Sequence, residues 1–131
     1  MIALDTNVLV RFLVEDDEAQ SRAATAVIVR ASRADEPLFV PAIVLCEVAW
    51  VLSSSYDVPK ADIIALFRKL LHARQLTFPA SDVLTRALEK YAAGKGEFAD
   101  YVIREEAFAG GCESVATFDK VLLREPGFTR P

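Results

Sequence analysis

Four acidic residues stand at positions where their side chains could do chemistry together. Asp5 follows the apolar segment IAL and Asp119 follows the β-leaning segment SVATF, so each acid comes directly after a predicted strand. Glu47 and Asp100 lie inside predicted helices, in the apolar segment FVPAIVLCEVAWVL and in FADYVI. Four converging carboxylates would repel one another and raise one another's pKa values. One or two Mg²⁺ ions would turn that repulsion into ligation, so the pattern favours a metal site.

Each acid also has an ordinary structural explanation when it is considered alone. Asp5 or Asp119 could be the N-cap of the helix that follows it. Asp100 could be half-exposed, or could pair with the arginine one turn later. Glu47 is harder to explain, because the residues four positions away on either side are apolar and an unpaired buried carboxylate is costly. We therefore expect Glu47 to be buried and to need a partner, Arg11 being one possibility.

Strands and helices alternate along the chain, which predicts an α/β fold with a parallel sheet flanked by helices. Strand candidates lie at residues 1–4, 38–40, 76–78 and 114–118, with a further edge strand in the tail EPGFTRP. Helices are predicted at 8–14, 18–33, after Pro41, after Pro59, at 81–93 and at 97–109. Ligands of such folds gather beyond the carboxyl ends of the strands, where Asp5 and Asp119 are expected.

Length and composition indicate one globular domain spanning residues 1–131, since a chain of 131 residues with 53% hydrophobic residues can bury a core of its own. With a net charge of -4 and scattered basic residues, the sequence does not predict the basic surface of an ordinary nucleic-acid binder. Charge alone therefore argues weakly against a nucleic-acid ligand. That objection weakens if the acids hold divalent cations, because bound metal reverses the local charge.

The cysteines and the N-terminal segment indicate a cytoplasmic protein. Cys46 and Cys112 show no metal-binding spacing and no sign of paired oxidation, so we expect core thiols in a reducing compartment. The segment MIALDTNVLVRFLV contains an acid, lacks a basic region before its apolar run, and is too short to span a membrane. We therefore expect no membrane association.

The motifs around the four acids resemble those of a known family. LDTNVLV at the start, the lone Glu47, FADYVI with Asp100 and TFDK with Asp119 are similar to the PIN-domain ribonucleases, in particular to the VapC-type toxins of bacterial and archaeal toxin–antitoxin pairs. The resemblance covers essentially the full length of the chain, with the motifs in the family's order. It implies a PIN-like three-layer α/β/α sandwich, with a central, mostly parallel sheet of four to five strands flanked by helices.

The resemblance also implies an activity: an endoribonuclease that depends on Mg²⁺, with Mn²⁺ as a possible substitute. Its catalytic and metal-binding acids would be Asp5, Glu47, Asp100 and Asp119. Asp5 and Asp100 would be the principal ligands, while Asp119 would complete the coordination or hold a second ion. Glu47 would bind a water of the metal. Hard cations on oxygen ligands can orient a water, hold the scissile phosphate and stabilise the leaving oxygen.

Two uncharged residues match the polar positions of the family's motifs. Asn7 and Thr117 can only hydrogen-bond, so they would orient a carboxylate or the phosphate. Glu97 is either a fifth acid of the site or a solvated residue of a first helical turn, and we favour the second interpretation. Some basic residues close in sequence to the acids could contact RNA phosphates, but we favour ordinary surface charges for them: Arg11, Lys95, Arg104 and Lys120.

The implied partners are an RNA substrate, a second copy of the chain in a homodimer or larger assembly, and a small antitoxin protein bound in a hydrophobic groove. A helical stripe with Trp50 or the first helix could line such a groove; the stripe consists of Ile63, Ile64, Phe67, Leu70 and Leu71. Such a stripe is more often core packing, which is the interpretation we favour for most of its residues.

Other functions remain to be weighed against the nuclease. A haloacid-dehalogenase-like phosphatase would need a second Asp where Asn7 stands, and a response-regulator receiver would need paired acids where Asp5 stands alone. The main alternative is a PIN-like binding or scaffold module with weak or no nuclease activity. A PIN nuclease of RNA maturation, without an antitoxin, would differ in biology and not in chemistry.

Overall fold

The computed structural model contains six α-helices and five two-residue strands, and it describes all residues from Met1 to Pro131. In chain order the elements are β1 (Ile2–Ala3), α1 (Thr6–Leu13), α2 (Glu18–Arg33), β2 (Leu38–Phe39), α3 (Ala42–Ser55), α4 (Lys60–His72), β3 (Leu76–Thr77), α5 (Ser81–Ala93), α6 (Phe98–Ala109), β4 (Val115–Ala116), a 3₁₀ helix (Leu122–Arg124) and β5 (Phe128–Thr129). They form two compact units, Met1–Pro79 and Ala80–Pro131. That the whole chain is one domain stays a prediction.

The first unit is built on a parallel ladder in the order β1-β2-β3. Ile2 pairs with Leu38, which in turn pairs with Leu76. The pairing continues one residue past β1, where the amide of Leu4 donates to the carbonyl of Phe39 at 2.8 Å. Helices cross over between the strands, as parallel pairing requires. The three strands and this hydrogen bond therefore fix the position of Leu4 and of Asp5 directly after it.

The apolar stripe of α4 packs into the core of the first unit. Ile63, Ile64, Phe67 and Leu70 are buried, while Leu71 is half-buried. The core-packing interpretation of this stripe is therefore confirmed. The alternative, that these four side chains line an open groove for a partner, is wrong because their apolar surface is already covered.

In the second unit α5 and α6 pack against each other, and β4 pairs in parallel with β5. Tyr91 of α5 meets Phe98 of α6 edge to face, with ring centroids 5.9 Å apart. Helix α6 ends before Gly110, and Gly111 has a φ of 91°, a left-handed conformation that favours glycine after a helix. The chain then turns back to β4, which leads directly into Thr117 and Asp119.

The α/β class and the parallel pairing are confirmed, and two predicted helices have the observed bounds, α2 and α5. The first helix begins at Thr6 and not at Val8, because Asp5 caps it. The five strands form two ladders, one of three strands and one of two. No helix is both long enough and apolar enough to cross a membrane.

Candidate active site

Asp5 lies at the junction of β1 and α1, where it caps the helix. Its Oδ1 accepts a hydrogen bond from the backbone amide of Thr6 at 2.8 Å, and the side chain is exposed. Asn7, in the first turn of α1, is also exposed. The N-cap explanation of Asp5 is therefore correct, but it uses one carboxylate oxygen and leaves Oδ2 without a hydrogen bond.

Glu47 is exposed, and the expectation that it is buried was wrong. It has no hydrogen bond or ion pair within the chain. Its neighbours one turn away on the same face of α3 are also exposed, Ile43 at 64% and Trp50 at 63%. The core is contacted by the opposite face, through Val44, Leu45, Val48, Ala49 and Leu52. Because α3 is apolar on both faces, its sequence does not reveal which face is buried.

Arg11 is not the partner of Glu47. Its guanidinium donates to Gln20 Oε1 at 2.6 Å, to Asp16 Oδ1 at 2.7 Å and to the hydroxyl of Tyr56 at 3.0 Å. The Tyr56 hydroxyl in turn donates to Asp16, and this hydrogen bond lowers the pKa of the Asp16 carboxyl. Arg11 therefore joins α1, α2 and the end of α3, and the carboxylate of Glu47 remains available to solvent and ligands.

Asp100 is half-buried in the first turn of α6. Its Oδ2 accepts from the backbone amide of Glu97 at 2.8 Å, so the carboxylate supports the start of its own helix. Burial raises the pKa of Asp100, and the negative charges of Asp119 and Glu125 raise it further, against the hydrogen bond from Glu97. The carboxylates of Asp119 and Glu125 are thus close enough to Asp100 to repel its negative charge. Glu97 itself is the exposed N-cap residue of α6.

Asp119 is held in a tight turn after β4. Its amide donates to Oγ1 of Thr117 at 3.0 Å, and its Oδ1 accepts from the amide of Val121 at 2.8 Å. Thr117 therefore holds the main chain of Asp119, whereas we had expected it to contact a carboxylate or the phosphate. The carboxylate of Asp119 is exposed and keeps Oδ2 without a hydrogen bond.

Glu125 is an acid that sequence analysis missed. Both its oxygens accept from the hydroxyl of Tyr101, at 2.8 and 2.7 Å, and that hydroxyl also accepts from the amide of Gly96 at 2.9 Å. Burial, together with the carboxylate of Glu125, raises the pKa of Tyr101 to about 12, so the phenol keeps its proton and remains a donor. Glu125 lies in the polar segment REPGF, where nothing in the pattern marks it.

The loop from Gly94 to Gly96 lies closely against these side chains. A Cβ at Gly96 would lie 2.6 Å from Cδ2 of Leu122 and 3.0 Å from Oδ2 of Asp100. A Cβ at Gly94 would collide with the hydroxyl of Tyr101 and with a carboxylate oxygen of Glu125. The two glycines, which the sequence marked only as a helix break, therefore allow the loop to approach the acids.

Arg104 is not a surface charge, so that expectation was wrong. Nor is it the partner of Asp100, for which the half-exposed alternative holds. Arg104 is buried, and its guanidinium donates to the carbonyl of Pro126 at 2.8 Å and to Glu105 at 3.2 Å. The guanidinium also lies over the rings of Tyr101, Phe108 and Phe128, between 5.3 and 5.9 Å from their centroids. This residue stabilises the second unit from within.

The donor chemistry of the acids fits a hard cation such as Mg²⁺, because all candidate ligands are carboxylate oxygens. Three aspartates each use one oxygen as a backbone acceptor and keep the other without a hydrogen bond: Asp5, Asp100 and Asp119. No group of three or more His, Cys, Asp or Glu residues is arranged as a ready metal site. The convergence of all four predicted acids on one metal stays a prediction.

Comparison with known proteins supports the family resemblance of the motifs around the four acids. The PIN domain family matches residues 2–127. No curated protein shows significant similarity to the chain. PIN domains are generally nucleases, which hydrolyse nucleic acids, and they typically use divalent metal ions. Because the match covers nearly the whole sequence, including all four acids, the chain belongs to the PIN-domain family.

Proposed function

We propose that the protein is a Mg²⁺- or Mn²⁺-dependent endoribonuclease and the toxin of a VapBC-like type II toxin–antitoxin pair, acting in the cytoplasm. The observation that carries the proposal is that Asp5, Asp100 and Asp119 each fix one carboxylate oxygen by a backbone hydrogen bond and keep the other without one. Burial raises the pKa of Asp100, and the charges of Asp119 and Glu125, which raise it further, support the proposal. The reaction class, hydrolysis of nucleic acids, is that of the PIN-domain family. A divalent cation would bind because it neutralises carboxylates that otherwise repel one another and because these carboxylates have oxygens without hydrogen bonds. Perturbed pKa values of this kind are typical of functional sites.

The chain's own residues would bind and orient the reacting groups. Asp5 and Asp100 are the proposed principal ligands, Asp119 completes the coordination, and Glu47 holds water from the exposed face of α3. A divalent cation, when bound, supplies activation of the water and neutralises phosphate charge. Each aspartate is fixed by a backbone hydrogen bond, so little order has to be gained on binding. The only histidine, His72, contacts the carbonyl of Arg68 at the end of α4 and has no proposed role.

The test is transcriptome-wide mapping of new RNA 5′ ends after induced expression of the wild-type protein and of Asp5→Asn. Asn keeps an acceptor for the Thr6 amide, so the variant should fold while losing a ligand charge. New ends at discrete sites with the wild type alone are expected. The same purified proteins, incubated with cleaved RNA and Mg²⁺ or EDTA, should show metal-dependent cleavage. If Asp5→Asn cuts as well as the wild type, the assigned role of Asp5 is wrong.

A binding or scaffold module is the second candidate, because Asp5, Asp100 and Asp119 each accept a backbone hydrogen bond and so have a structural role without catalysis. Under that alternative the wild type would fold, bind RNA or a protein, and produce no new RNA ends with any divalent ion.

The antitoxin and the homodimer belong to the first proposal. Since the α4 stripe is buried, the exposed apolar side chains of α3, Ile43 and Trp50, are the stronger contacts for either partner in the first unit.

A further inference from the structure

Phe118 is the most exposed large apolar side chain of the protein, at 85%, and it immediately precedes Asp119. Most other phenylalanines are buried or half-buried, and the next most exposed, Phe108, reaches 41% and packs against Arg104. An aromatic ring in water forgoes the burial that usually stabilises it. Its position beside a proposed metal ligand suggests that a ligand of that site covers it.

The backbone on both sides of Phe118 is fixed. The amide of Thr117 donates to the carbonyl of Thr129 at 2.9 Å, which extends the β4–β5 pairing, and the amide of Asp119 donates to the Thr117 side chain. Oδ1 of Asp119 then accepts from Val121. The ring is therefore presented from a rigid turn, and a ligand that contacts it loses little conformational entropy of the chain.

The charge of the protein favours an uncharged contact with RNA. Net charge is -4 and the basic residues are scattered, so phosphate contacts alone provide little affinity. Stacking of a base on an aromatic ring does not depend on charge, and its loss weakens single-strand binding by roughly 5- to 100-fold per base. Lys120, exposed on the other side of Asp119, adds one cation for a phosphate.

We propose that Phe118 is a stacking platform for one nucleobase of single-stranded RNA, next to the phosphate that the Asp119 site would hold. This inference rests on the proposed function, because it takes RNA as the ligand of that site. It assigns Phe118 to substrate positioning and not to chemistry. Accordingly, the loss of the ring should act on KM more than on kcat.

The experiment uses a pool of single-stranded RNA oligonucleotides with 2-aminopurine at the centre and random flanking nucleotides. Fluorescence is measured on adding the full-length protein with Mg²⁺, and cleavage is followed in the same samples. Wild type, Phe118→Trp, Phe118→Leu and Phe118→Ala are compared. Ile103→Ala, which removes another exposed apolar side chain (53%) on the second unit, is the matched control. Thermal melting and gel filtration check folding and oligomeric state.

We expect the wild type and Phe118→Trp to quench the fluorescence and to cleave with similar KM. Phe118→Leu and Phe118→Ala should lose the quenching and raise KM roughly 5- to 100-fold. Wild-type values for Phe118→Leu would overturn the inference, because apolarity without a ring would then suffice. So would an altered oligomeric state in Phe118→Ala, since Phe118 would then be a protein contact. If the wild type quenches without cleaving, the nuclease proposal fails and the stacking inference stands; if it cleaves without quenching, the reverse holds.

Discussion

Asp5, Asp100 and Asp119 each combine two roles in one side chain. One carboxylate oxygen accepts a hydrogen bond from a backbone amide at the start of a helix or turn, and the other oxygen has no hydrogen bond. The structural explanation and the metal-ligand explanation are therefore compatible at each position. Substitution by Asn separates them, because the amide oxygen can still accept the backbone hydrogen bond while the negative charge is lost.

At the residue scale, Asp100→Asn should raise the melting temperature of the metal-free protein at neutral pH. The folded-state pKa of Asp100 lies above its ordinary value of 3.8, so the folded state binds this proton more tightly than the unfolded state. Stability from this group is therefore lost as pH rises from about 3.8 through the raised pKa, and Asn removes the loss. Thermal melts in EDTA across that pH range measure it, with Glu97→Gln as a control of similar charge change.

Added Mg²⁺ should raise the melting temperature of the wild type more than that of Asp100→Asn, because a ligand that binds the folded state stabilises it. An Asp100→Asn variant that melts lower than the wild type at neutral pH, with an unchanged dependence on pH, would show that Asp100 is stabilising and not repelled.

At the element scale, α3 shows which parts of the site the sequence could and could not predict. Asp5 and Asp119 were identifiable because each follows a strand, and strand ends are set by local pattern. The exposure of Glu47 was not, because α3 is apolar all round and only tertiary packing selects the buried face. Glu125, and the close approach of Gly94 to Tyr101, were missed for a related reason, since these contacts depend on folding and leave no local signal.

The two faces of α3 should respond differently to substitution. Glu47→Gln changes an exposed side chain without partners, so the free energy of unfolding should change by about 0.5 kcal/mol or less. Leu45→Ala removes a fully buried side chain and should cost about 2–5 kcal/mol. Urea denaturation measures both, and RNA cleavage should fall in Glu47→Gln despite its intact fold. Full activity in that variant would remove Glu47 from the proposed mechanism.

At the scale of the whole molecule, the family could be predicted from the order of the motifs, but the division into units and the exposure of individual side chains could not. Short motifs spread over the full length identified the family, which the match over residues 2–127 confirms. The division into Met1–Pro79 and Ala80–Pro131 was not expected from a sequence without a linker. The sequence shows that its fifteen basic residues are scattered along the chain, but not that Arg104 is buried among aromatic rings.

The proposed RNA cleavage should depend only weakly on ionic strength. With a net charge of -4 and no basic cluster, the protein can neutralise few phosphates. The slope of log KM against log salt, from about 50 to about 200 mM, should therefore be below about 2, the value for roughly three phosphate contacts on a single strand. A slope well above that would show that basic side chains, and not stacking and metal, dominate binding.

The contact between the loop, Tyr101 and Glu125 also has a consequence for sequence variation among relatives. A side chain at position 94 would meet the hydroxyl and the ring carbon Cζ of the tyrosine as well as the glutamate, so glycine is required there while an aromatic ring occupies position 101. Positions 94, 101 and 125 should therefore covary: relatives with a small residue at 101 should lose the acid at 125 and accept alanine or serine at 94, whereas relatives with phenylalanine at 101 should keep the glycine. Relatives that keep the tyrosine and the glutamate should keep the glycine as well.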